Sequence, residues 1–118
     1  MNGLPKNFDG SFLVGCALEM VCFNATQMYL HFSKGVTITV EGTFSYRKTA
    51  SQAAPAIKVP VKESDLMQLL EQSVSKVTGD QSGALTLSFS NGQIFKCFDS
   101  SKHYESYQIK IGDKVIVI

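Results

Sequence analysis

The residues best equipped for chemistry crowd into one stretch, Asp99-Ser100-Ser101-Lys102-His103-Tyr104-Glu105-Ser106-Tyr107. It holds carboxylates, an imidazole, an amine, hydroxyls and two phenol rings. On paper Ser101, His103 and Glu105 supply a nucleophile, a base and an orienting acid. Catalytic triads are assembled from separate parts of a fold, so adjacency in sequence is no evidence for one. The chain has no Gly-x-Ser-x-Gly elbow and no Gly-rich phosphate loop. None of Cys16, Cys22 and Cys97 pairs with an identifiable histidine. His31 and His103 lack Cys, Asp or Glu at ligand spacing, so no metal and no cofactor is expected. The stretch reads as a polar corner. Asp99, His103, Tyr104, Glu105 and Tyr107 are its candidate partner-binding residues, because Tyr and His give much contact area for little lost side-chain entropy. No catalytic residue is expected, and the protein is read as a non-enzyme.

Composition narrows the partners. The chain has 118 residues, a formal net charge of +1, 44% hydrophobic and 18% charged residues. That length is one domain, 1–118, with room for a core that needs no staples. Lys and Arg are scattered, and Arg47-Lys48 is the longest basic run. Phosphate binding needs a clustered basic excess, so no nucleic acid is expected. The aromatic residues alternate with polar ones, as core-facing residues do. An odd number of cysteines, each in an apolar stretch, favours free thiols and a reducing compartment. No apolar run approaches the ~20 residues of a membrane span, and residues 1–6 do not read as a signal peptide. The expectation is a cytoplasmic protein with no membrane partner.

The elements that position the cluster repeat. Met28-Tyr29-Leu30-His31-Phe32-Ser33-Lys34-Gly35 reads almost like Leu85-Thr86-Leu87-Ser88-Phe89-Ser90-Asn91-Gly92, at an offset of 57. Apolar residues return in phase after each Gly, at Ile38 and Val40 and at Phe95 and Cys97. Alternation, a Gly turn and renewed alternation predict a β-hairpin in each half. Asn91-Gly92 is a type I′ signal. Before the first hairpin, Phe12–Phe23 reads as a strand, and Thr37, Thr39, Glu41 and Thr43 share one side of a strand over 36–46. Residues 47–56 read as an exposed loop. Ser64 and Asp65 open a predicted helix, with Leu66, Leu69, Leu70, Val74 and Val77 sharing one face at helical spacing. Its end is placed near Ser73, with Val74-x-x-Val77, the match of Leu18 and Val21 in the repeat, starting a short strand. Gly112-Asp113 closes a final hairpin. Its last strand, Lys114–Ile118, is apolar at four consecutive positions and is expected to be covered on both faces, by this chain through the Gly112-Asp113 turn or by another chain. The predicted class is α+β: a twisted antiparallel β-sheet built from two repeated hairpin units joined by one α-helix.

These motifs carry a resemblance. Gly83-Ala84-Leu85-Thr86-Leu87-Ser88-Phe89-Ser90-Asn91-Gly92, followed by Tyr104-Glu105-Ser106-Tyr107, resembles a group of small bacterial proteins of unknown function. Their second half runs Gly-x-Leu-x-Leu-x-Phe-x-x-Gly and closes on Tyr-Glu-Ser-aromatic, commonly with Trp where Tyr107 stands. The first half fits through Leu13-x-Gly15-x-x-Leu18 and the hairpin from Leu30 to Gly35. Some members look like immunity proteins that neutralise a toxin by binding it. The resemblance implies a bacterial binding protein, an immunity-type inhibitor acting by protein–protein contact on a toxin or other protein. The alternatives are a structural homodimer that self-associates through the C-terminal strand, and a small-ligand binder or enzyme.

Overall fold

Short runs of apolar and polar residues, most of them alternating, become ten strands among the described residues. The structure, a computed structural model, describes residues 3–61, 64–100 and 105–118. In chain order the strands are β1 (Leu18–Phe23), β2 (Met28–Phe32), β3 (Val36–Val40), β4 (Thr43–Arg47), β5 (Ile57–Lys58), β6 (Val74–Gly79), β7 (Leu85–Phe89), β8 (Ile94–Cys97), β9 (Tyr107–Ile111) and β10 (Lys114–Val117). They form two antiparallel five-stranded sheets, ordered β1-β2-β3-β9-β10 and β5-β4-β8-β7-β6. The antiparallel expectation holds. The α-helix does not: the described residues contain only 3-10 turns, at Gly10–Leu13, Ser33–Gly35 and Leu66–Leu69. The class is therefore β, not α+β.

The predicted helix dissolves for local reasons. Ser64 does cap, accepting the Leu66 N–H at 2.9 Å, but it opens a single turn. Leu70, at ψ 137°, leaves the helical region and ends it, and Glu71 follows at φ +68°. Val74 and Val77 then belong to β6, where a β-bulge lies between Val74 and Lys76. An extra residue on one strand turns the inward spacing of two into three, which imitates a helical face. Leu18 and Val21 in β1 show the same bulge and spacing. Residues 12–23 thus split into a 3-10 turn and β1, instead of one strand.

The two sheets have the same layout. Each takes a three-stranded meander from one half of the chain and a two-stranded tail from the other. The expected strand 36–46 is therefore two strands in different sheets, broken at Glu41-Gly42. A pair of reciprocal contacts joins the halves. Gly15 N–H donates to the Val74 carbonyl and Glu71 N–H to the Leu18 carbonyl, both at 2.8 Å. Leu18 N–H meets the Gln72 carbonyl at 3.0 Å, and Val74 N–H the Cys16 carbonyl at 2.9 Å. Each contact maps onto its mate at an offset of 56 residues, and the lone Ala17–Ser73 bridge lies between them. Phe32 and Phe89 stack face to face across the interior, centroids 6.5 Å apart.

The inner positions of both sheets fill one core. Leu18, Met28, Leu30, Phe32, Ile38 and Val40 in the first half match Val74, Leu85, Leu87, Phe89, Phe95 and Cys97 in the second, and all are buried. Leu13 and Leu69 plug corresponding 3-10 turns. Leu70, expected beside Leu69 in the core, is 38% exposed. The last strand pairs with β9 through the Gly112-Asp113 turn, and this chain covers one flank of it. β10 is an edge strand, and Val115 is 48% exposed. The loop of residues 48–53 is exposed, as expected.

Candidate contact surface

The corner after β8 is built by residues that hold the fold together. Ser106 is fully buried. Its carbonyl accepts from Glu41 N–H (3.0 Å) and Gly42 N–H (3.1 Å), where the chain crosses between sheets, and its own N–H donates to the Ile118 carbonyl at 2.8 Å. Its hydroxyl accepts from Ser100 N–H at 3.1 Å and reaches the Asp99 carboxylate at 3.4 Å. Asp99 also accepts the Gly3 N–H at 2.9 Å. Gly83 sits hard against it: a Cβ there would lie 2.8 Å from Asp99 Oδ2, and φ is +86°.

Tyr107, a candidate partner contact, is fully buried instead. It faces the core through β9, and its hydroxyl donates to the Gly83 carbonyl at 2.6 Å. Burial first, then the neighbouring Cys97 and Asp80, pushes its phenol well above the usual range. Burial does the same to the Cys97 thiol. Both groups are held neutral and work as anchors. Glu105 is exposed, with its carboxylate accepting from Gln108 Nε2 at 2.6 Å. His103 and Tyr104 lie outside the described residues.

A different surface assembles by register. On the outer face of the first sheet, Met20, His31, Thr37, Lys110 and Val115 fall in one cross-strand row. Cys22, Tyr29, Thr39, Gln108 and Val117 form the next. The Tyr29 and His31 rings stack, centroids 6.0 Å apart. Polar contacts fix these rings. His31 Nδ1 lies 3.1 Å from Thr37 Oγ1, the Tyr29 hydroxyl donates to Gln27 Oε1, and Gln27 Nε2 donates to Glu41 at 2.7 Å. Met20, on this face at the edge strand, is 49% exposed. Glu105 joins this face through Gln108. Sequence spacing did not assemble this face, because cross-strand rows follow from register.

The matching positions of the second sheet carry other chemistry. Lys76, Thr78, Thr86, Ser88, Ile94 and Lys96 stand where the first sheet has Met20, Cys22, Tyr29, His31, Thr37 and Thr39. Arg47 continues that face on β4. Lys96 Nζ rests 5.1 Å from the Phe98 ring centroid. So the inner faces agree in kind while the outer faces diverge.

One groove of about 580 Å³ opens between Gly3, Leu4, Pro5, Lys6 and Phe8 on one side and Gly79, Asp80 and Gln81 on the other. The Asp80 carboxylate is already engaged by Ser82 and the Ala84 N–H, which hold its pKa below the usual carboxylate value. Among the described residues no group of three or more His, Cys, Asp or Glu could hold a metal ion. No helix among them is long and apolar enough to cross a membrane. The three cysteines are free.

Comparison with known proteins adds one finding. Residues 11–118 match DUF6188, a family of unknown function. The chain belongs to this family. No curated protein and no solved structure matches it. The DUF6188 match takes in both sheets and both outer faces, whereas five of the eight groove residues precede it. The groove is therefore built mostly from chain outside the DUF6188 region.

Proposed function

We propose that this DUF6188 protein is a bacterial cytoplasmic binding protein that acts by surface contact, as an immunity-type inhibitor does, and not an enzyme. Its contact surface is the outer face of the first sheet, with Glu105 at its edge. The observation that carries this reading is the divergence between two otherwise corresponding sheets. The matching layout of the two sheets supplies two corresponding outer faces, and the fold needs only a wettable surface at each. The second face meets that need with Lys76, Thr78, Thr86, Ser88 and Lys96 around a single apolar residue, Ile94. The first instead presents Met20, Cys22, Tyr29 and His31. Tyr and Met are the residue types enriched in protein interfaces. Here the aromatic pair is pre-ordered by hydrogen bonds, which lowers the entropy cost of binding. Lys110 is the one cation in the two ring-bearing rows, whereas Arg47, Lys76 and Lys96 lie on the other sheet, so no basic stripe accompanies the rings, which argues against a stacked, basic nucleic-acid platform.

The test is an affinity comparison. The tagged chain is expressed in its own cells, the protein that co-purifies in fixed stoichiometry is identified, and its affinity is measured against variants. Met20→Lys with Tyr29→Asp is expected to weaken it at least about tenfold, or ~1.4 kcal/mol, with the melting temperature held. Lys76→Met, on the other sheet, is expected to leave it unchanged. Equal affinity for parent and the double variant would overturn the assignment.

A further inference from the structure

The two sheets have four edges, and three are blunted. β1 and β6 each carry a β-bulge, between Leu18 and Met20 and between Val74 and Lys76. Bulges twist an edge away from pairing. β5 has two residues, an exposed Lys58, and then Pro60, which offers no N–H. β10 occupies the place in the first sheet that β5 occupies in the second. It has no register shift against β9, and after Lys114 it runs Val115-Ile116-Val117. Ile118 N–H donates to the Tyr107 carbonyl. Main-chain groups alternate along an antiparallel strand, so Ile116 and Lys114 also turn theirs toward β9. Val115 and Val117 turn theirs outward.

We propose that β10 pairs with β10 of a second copy of this chain, antiparallel about a two-fold axis at Ile116, to give a continuous ten-stranded sheet. The occupant follows from self-complementarity. With Ile116 opposite its mate, Val115 of each copy faces Val117 of the other, and their outward N–H and C=O groups form reciprocal bonds. Val115 and Val117 then meet on the outer face, where β-branched cross-strand pairs are favourable. The two Ile116 side chains meet on the inner side, beside Ile109. A strand pair this short makes a weak dimer, since stable interfaces bury far more surface. This inference does not rest on the contact-protein reading.

Sedimentation equilibrium over a concentration series to about 1 mM reads the mass, and hydrogen exchange reads the amides. The parent is expected to rise from 12.9 kDa toward twice that mass. The Val115 and Val117 amides are expected to become protected only as it does so. Val117→Pro removes an outward N–H and leaves the β9 ladder intact. It is expected to weaken the dimer at least about tenfold. Val115→Lys alters only a side chain, so it decides the matter should the proline disturb β10, and it too is expected to weaken the dimer. A parent that stays monomeric overturns the proposal. So does a dimer that both variants retain, or strand protection that appears only when a different protein is added.

Discussion

Tyr107 shows how one side chain can look like a site and serve as a fastener. It falls in the most chemically equipped stretch of the chain, yet it is fully buried with its hydroxyl on the Gly83 carbonyl. Tyr107→Phe strands that carbonyl, and urea melts are expected to show a loss of about 1–3 kcal/mol. A variant as stable as the parent would mean the bond contributes nothing. The same burial makes the fold sensitive to alkali. Tyr107 and Cys97 both have folded pKa values raised above those of the open chain. The unfolded chain therefore ionises first, from about pH 8.5 for the thiol and about pH 10 for the phenol. It then binds fewer protons than the native state, so stability is full below that range and falls as pH rises. Urea midpoints in reductant at pH 7, 9 and 10.5 are expected to decline in that order. A constant midpoint would contradict the burial of both groups.

Bulges and hinges mark the limit of what elements show in sequence. The hairpins at residues 28–40 and 85–97 were readable because period-two alternation survives in them without interruption. In the segment 64–77 the strand start at Val74 was readable from the repeat, but the 3-10 turn before it was not, because that turn, a positive φ at Glu71 and a bulge together place apolar residues three and four apart. The crossing at Glu41-Gly42 was invisible for the opposite reason. Ile38 and Val40 face inward before it, Phe44 and Tyr46 after it, and the alternation runs through unbroken. Asn91-Gly92 is a related near miss. Gly92 has φ +92°, but Asn91 is not among the positive-φ residues, so the loop is no type I′ turn. The turn at Leu66–Leu69 yields a sharp test. A helix spanning 64–73 would make Leu69 and Leu70 comparable anchors, whereas the structure buries only the first. Leu69→Ala is expected to cost ~2–5 kcal/mol. Leu70→Ala is expected to cost well under half of that, because large losses need a buried site. Equal losses in denaturant melts would restore the helix.

At the scale of the molecule, two corresponding sheets share one core and turn unlike faces outward. That division was partly legible. The in-phase repeat foretold corresponding hairpins, but the exchange of tails between sheets depends on pairings distant in sequence. The candidate surface was less legible still. Sequence pointed to Asp99, His103, Tyr104, Glu105 and Tyr107, a contiguous stretch, while the face at Met20, Cys22, Tyr29 and His31 exists only once β1 and β2 are in register. The central claim is that this face is where a partner binds. Hydrogen exchange of the chain, alone and with its co-purified protein partner, tests it most directly. The prediction is slowed exchange in residues 20–31 and 37–41 on β1, β2 and β3, with β6, β7 and β8 unchanged. Slowing confined to β6, β7 and β8, or to the groove between Gly3–Phe8 and Gly79–Gln81, would contradict it.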